Sequence, residues 1–354
     1  MKKYEMILED TIDVRGRILY RIRACANFVV SNRKVHIGDL GGYIEKEKNL
    51  SQEGTAWVAD NATVYGNAQV YENALVSGNA TICDNAQVYG GAKVFGEYAI
   101  IADDAKVYDD AQVYGDAKVY NCGEVYGEAK VYEFALIAKN AKVYGEAKVH
   151  GRARVLDKGE VFGCAEVYGE WTDVDCNAKV YDNAKVFDNA VITDNAKVFG
   201  YAKVFDSAKI SNNAEVKHNA KVYDKAEVCD NAKVGGKARV EGHTKIKHNA
   251  VVMGQTHIYG DAEVFENATI SGNAQVYNCA QVYGRAMVSD EAQICGKAKV
   301  RGDAKVFDDA RVYDVAQVYE NAQVCGGAQI LGDIHIKGHM IINNYKRVYT
   351  IADI

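Results

Sequence analysis

The chain has 354 residues, and its 42 basic and 48 acidic side chains leave a formal charge of -6, so no global pull towards nucleic acid exists. It contains no proline, where ordinary usage of about 5% would supply roughly 18, and a chain that commits nearly every backbone N–H to a ladder has little room for one. Nine cysteines are scattered without a Cys-x-x-Cys pair, which predicts reduced thiols and a cytoplasmic setting, and no apolar run is long enough to predict a membrane span.

Residues 1–49 stand apart from the regular part of the chain. The stretch before Val14 lacks the apolar core of a signal peptide. Thr11 to Ala24 holds two β-type runs around Arg15-Gly16 and predicts a hairpin. It is expected to cover the first coil of the regular part, because an open solenoid end exposes unpaired backbone groups. Arg15, Arg17, Arg21 and Arg23 make this cap basic, most simply as a solvated hairpin face.

From Val58 to Ile336 an aliphatic residue recurs every six positions, as in Val64-Tyr65-Gly66-Asn67-Ala68-Gln69 and then Val70. A short fixed period means stacked identical units and outranks local propensity. Strand alternation turns Ala68 and Val70 inward and Gln69 and Tyr71 outward. The Gly, Asp or Asn pair at the end of each side tolerates the left-handed backbone of a tight corner. Three six-residue sides close an 18-residue triangular coil. The predicted fold is all-β, a single-stranded left-handed parallel β-helix with a small N-terminal β cap. The phase slips by one residue twice, from Ile100 to Val107 and from Val167 to Val174, and both slips read as corner bulges. The expected division is a cap over 1–49, a β-helix of about 16 coils over 50–336, and a tail over 337–354. At about 4.8 Å per coil the predicted rod is about 75 Å long.

The hexad resembles that of bacterial hexapeptide acyltransferases. The entry segment is more specific. Gly38-Asp39-Leu40-Gly41-Gly42-Tyr43-Ile44-Glu45, then Asn49-Leu50-Ser51 and Gly54-Thr55-Ala56-Trp57-Val58, resembles the YdcK-type β-solenoid family of bacteria and their prophages. That resemblance covers about residues 15–336. It implies a left-handed β-helix with an N-terminal cap and brings no catalytic residue with it.

Counting hexads in threes sorts the outward residues into columns. The residue after the core aliphatic reads Tyr71, Tyr89, Tyr108, Tyr126, Tyr144, Phe162, Tyr181 and Phe199 on the first face, ending at Lys217. On the second face it reads Phe95, Tyr114, Tyr132, His150, Tyr168, Phe187, Phe205 and Tyr223. The third face, with Tyr65, Cys83, Tyr120, Ala138 and Leu156, is mostly not aromatic. The plain reading of the stripes is ring stacking; the sharper one is a binding or self-association face. The residue before the core aliphatic alternates in sign in places, but Lys185, Lys203, Lys221 and Arg239 form a like-charged row beside Phe187, Phe205 and Tyr223. Basic and aromatic residues together suit an anionic polymer, whereas a solvated lysine row that deters edge pairing is the plainer account.

No nucleophile elbow, phosphate loop or metal-ligand spacing occurs, so no catalytic residue, metal or cofactor is assigned. The expected function is a non-catalytic scaffold that binds a protein or itself through these faces, away from any membrane. A trimeric hexapeptide-repeat acyltransferase and a binder of an anionic polymer are the alternatives. The acyltransferase resemblance would require a catalytic His and a loop excursion, and no long insertion interrupts the hexads.

Overall fold

The computed structural model describes residues 2–343 and 347–349. Apart from a single 3-10 turn at Glu47–Asn49, its regular structure is strand. The coils form a β-solenoid of about 17 turns. The chain divides into two compact units, Met1–Asn177 and Ala178–Ile354.

In the first unit each coil contributes three two- or three-residue strands that pair in parallel with the coil above. Lys106–Val107 pairs with Glu124–Val125, and that with Lys142–Val143. Backbone bonds join each coil to the next, as from Tyr126 N to Val143 O at 3.0 Å. The core is Ala and Val or Ile throughout, and Ala129, Val131, Ala135 and Ile137 are fully buried. The second unit repeats this arrangement: Lys203–Val204 pairs with Lys221–Val222, and Val204, Ala208 and Ile210 are fully buried. Its pairing continues beyond Ile336. Gln323 pairs with Ile341 and Gln329 with Arg347, so Ile342 and Val348 keep the eighteen-residue spacing. Residues 344–346 and 350–354 of the expected 337–354 tail lie outside the described residues.

Two polar residues occupy alanine slots in the second unit. Thr244 and Thr256 are fully buried, and neither hydroxyl has a hydrogen-bond partner. An unsatisfied buried hydroxyl costs about 1–3 kcal/mol. Thr244→Ala and Thr256→Ala are each expected to raise stability by about 1 kcal/mol, read as a higher denaturation midpoint. A lower midpoint would show that the hydroxyls are satisfied.

The corners use their side chains as well as their backbone. A corner residue with left-handed backbone, such as Asp109 (φ 56) or Glu133 (φ 57), accepts the backbone N–H of its counterpart one coil on. Gly127 N donates to Asp109 at 3.2 Å and Gly151 N to Glu133 at 2.7 Å. In the second unit Gly200 N donates to Asp182 at 3.1 Å and Gly326 N to Asp308 at 2.9 Å. Acidic corners thereby satisfy donors that the ladder leaves unpaired.

The cap is a hairpin of β1 (Tyr4–Val14) and β2 (Arg17–Ala24), with a small hairpin of β3 (Phe28–Val30) and β4 (Arg33–Val35) after it. Strand β5 (Leu40–Ile44) is the adaptor. It runs antiparallel to β2 and parallel to the first third-face strand, Tyr43 pairing with Thr63. The larger hairpin also lies along the outside of the third face. Leu19, with Ile12 and Val14, packs on Tyr43, Tyr65, Cys83 and Ala102. Within those first coils, small Cys83 and Ala102 make room for the hairpin. Three of the four cap arginines are paired, Arg17 with Glu45, Arg21 with Asp10 and Arg23 with Glu5.

Arg33 of β4 hydrogen-bonds Asp60 at 2.8 Å. That guanidinium, opposed by partial burial and aided by the Gly78 N–H, holds the Asp60 carboxyl below its ordinary value. A carboxyl depressed on folding stabilises the fold above its unfolded pKa and loses that contribution as pH falls through the folded value. Protection of the Phe28–Val35 amides, taken relative to the intrinsic exchange rate at each pH, is expected to fall as pH drops through and below the usual carboxylate range, and Asp60→Asn should remove that dependence. An identical pH profile in the variant would contradict the linkage.

The first phase slip lies elsewhere than the hexad count placed it. Ile101, not Ile100, is fully buried, and Ile82 pairs with Ile101. The extra residue therefore precedes this strand, in the corner Gly96-Glu97-Tyr98, instead of coming after Ile100. Two adjacent isoleucines hide the inward position from the sequence. The second slip, between Val167 and Val174, stands, since both valines are fully buried.

Candidate functional site

The first-face stripe is stacked ring on ring. In the first unit the centroids of Tyr71, Tyr89, Tyr108, Tyr126, Tyr144 and Phe162 are 4.8–4.9 Å apart. In the second unit Tyr181 and Phe199 stack at 4.9 Å, and Lys217 ends the run with its ammonium 5.9 Å from the Phe199 ring centre. Every ring of the stripe is half-buried. Burial pushes the Tyr108 and Tyr144 phenols above the ordinary tyrosine value. The ring faces are thus spent on neighbouring rings, and edges and hydroxyls remain for anything else.

The basic row lies in the second unit. Lys185, Lys203, Lys221 and Arg239 sit on consecutive paired strands. Beside them Phe187, Phe205 and Tyr223 stack at 4.8–4.9 Å. Lys203, Lys221 and Arg239 are exposed.

A different surface of the first unit gathers large exposed apolar groups. Gly96-Glu97-Tyr98-Ala99 and Gly169-Glu170-Trp171-Thr172 are the two inserted corners. They share a Gly-Glu-aromatic sequence and a backbone that the other corners lack: φ is 123° at Gly96 and 126° at Gly169. Only glycine takes that conformation readily. Both corners enter the third face, four coils apart, through the chain of equivalents Gly96, Gly115, Glu133, Gly151 and Gly169. The outward residue of each successive corner is Tyr98, Asp116, Phe134, Arg152 and Trp171. Tyr98, Phe134 and Trp171 are 59%, 57% and 63% exposed, which is unusual for groups of this size.

These residues border a shallow groove of about 690 Å³, floored by Ile100, Tyr120 and Leu136 and edged by Lys118 and Arg154. Its charges are matched. Arg152 pairs with Glu170 at 3.8 Å and Arg154 with Asp173 at 2.5 Å. The Arg152 guanidinium also lies 5.5 Å from the Phe134 ring centre. Ile100 and Tyr120 also flank the β1–β2 hairpin contact, so the groove begins where the hairpin ends.

None of these corner aromatics was singled out by the column count, which tracked the residues flanking the core aliphatics. The signal is nevertheless in the sequence: the same Gly-Glu-aromatic tripeptide occurs at both phase slips. Misplacing the first slip concealed it.

Residues 68–84 and 280–296 match the family model described as the YdcK β-solenoid repeat. The chain carries YdcK β-solenoid repeats. No curated protein matches it. Both matched windows are plain hexad stretches outside the two inserted corners. Among the described residues no helix is long and apolar enough to cross a membrane.

Proposed function

We propose that this protein is a non-catalytic interaction scaffold whose contact surface is the third-face groove around Phe134. The observation that carries the reading is the pair of inserted corners. A solenoid closes without them, yet they repeat one sequence and one backbone conformation four coils apart and set Tyr98 and Trp171 at either end of Phe134. Contiguous exposed apolar groups rimmed by charge mark contact surfaces, and aromatic and Arg anchors dominate their energetics. A cytoplasmic setting fits the free thiols of Cys229 and Cys325. The test is affinity capture with the full chain and with a Tyr98→Ala/Phe134→Ala/Trp171→Ala variant of equal melting temperature. Partners retained by the parent and lost by the variant are expected; identical capture would refute the reading.

A second reading concerns the basic row. Among the described residues, Lys203, Lys221 and Arg239 have no carboxylate within ion-pair distance. Cations on successive coils beside stacked rings suit an anionic polymer. Retention on a sulfated polysaccharide column should then fall steeply with salt and fall further with Lys203→Glu. Retention indifferent to either change would dismiss it.

A further inference from the structure

Resting on the reading of the groove as a contact surface, we propose that its occupant is a proline-rich segment of another protein, bound as a polyproline II helix. Three observations point there. The first is spacing. Rings one coil apart in this unit lie 4.8–4.9 Å from each other, so Tyr98, Phe134 and Trp171, each two coils from the next, recur at about 9.6 Å. A polyproline II helix turns once in three residues of about 3.1 Å each, a pitch of about 9.3 Å. Each turn of the ligand therefore meets one aromatic ridge, with the Asp116 and Arg152 positions between ridges. Grooves lined by exposed aromatic rings are what proline-rich segments dock against.

The second observation is charge. The groove's cations Lys118, Arg152 and Arg154 are balanced by Asp116, Glu170 and Asp173, with Arg152 and Arg154 already paired. A neutral, apolar ligand suits this lining and a polyanion does not. The third is continuity. The same face already accepts extended backbone, because the β1–β2 hairpin lies on it as far as Ile100 and Tyr120. A proline-rich ligand is not a second copy of this chain, which has no proline.

The sequence supplies its own reporter. Of the two tryptophans, Trp57 is sealed in the core and Trp171 stands in the groove. The full chain is titrated with a fifteen-residue peptide of Pro-Pro-Leu repeats, with the same peptide carrying glycine for every proline, and with a neutral β-linked oligosaccharide. Saturable blue shift of Trp171 emission by the proline peptide, at least tenfold weaker with the glycine peptide and with the Phe134→Ala protein, is expected. Equal response to the proline and glycine peptides, or none to the proline peptide, would overturn the proposal. A shift with the oligosaccharide alone would likewise overturn it while leaving the groove a contact surface. Silence with all three probes overturns the proline assignment, and the capture comparison of the triple variant then judges the groove separately.

Discussion

Val204→Asp is expected to unfold the coils around it in the second unit, at a cost of about 4 kcal/mol or more. Val204 is fully buried, and its neighbours above and below are Val186 and Val222. A carboxylate there would be buried in a core of Ala, Val and Ile side chains such as Ala208 and Ile210. It must either ionise without a partner or take up a proton at neutral pH. Because each coil rests on its nearest neighbours, loss of one interface spreads along the stack. Lys203→Asp is the control. Lys203 is adjacent in sequence but exposed, so its replacement should move the melting temperature little. Comparison of the two melting curves reads the inward–outward alternation directly, and matching curves would contradict it.

Gly42→Ala should detach the cap. A methyl group at Gly42 would overlap the Ala62 carbonyl oxygen and lie 2.8 Å from a Val58 methyl. At the preceding residue, Gly41, it would meet Ile22 and the Val58 carbonyl oxygen at 2.6 Å. The adaptor strand approaches the first coil so closely that only glycine fits at either place. Overpacking of this kind costs about 1–3 kcal/mol, and here the obstacle is backbone that cannot give way. The expected result is rapid amide exchange and proteolysis within residues 2–44 of the variant, with the coils of residues 100–170 still protected. Unchanged protection of β1 and β2 would show that the strand does not sit so tightly.

Much of this architecture is legible in the sequence because it is local. Alternation of Ala-x-Val with polar neighbours sets which side chains enter the core, and Gly, Asp and Asn at the corners declare the turn. Register comes from the period, so the stacking of Tyr108, Tyr126 and Tyr144 can be read from their eighteen-residue spacing alone. What escapes is whatever depends on a single ambiguous residue or on distant parts of the chain. Ile100 and Ile101 are equally apolar, and only packing shows that Ile101 is the inward one. The docking of Leu19 on Tyr65 and Cys83 joins segments far apart in sequence, and no pattern within residues 1–24 announces it. The acidic corners read as conformational devices, but Asp109 and Glu133 also accept backbone N–H groups of the next coil. The groove itself is missed because its ridges lie on corners, two positions away from the columns that the hexad defines most plainly.

The central claim is that successive third-face corners, eighteen residues apart except across an inserted corner, lie one coil above another, which brings Tyr98, Phe134 and Trp171 together. Cysteine cross-linking tests it most directly, in a chain whose exposed Cys122, Cys164 and Cys279 are first replaced by serine. Disulfides form between residues whose Cα atoms are about 4.4–6.8 Å apart. Asp116→Cys with Phe134→Cys, one coil apart, should oxidise readily to a bond seen by mass spectrometry of the tryptic peptides, whereas Asp116→Cys with Arg152→Cys, two coils apart, should not. A bond in the second pair and none in the first would contradict the stacking on which the groove depends.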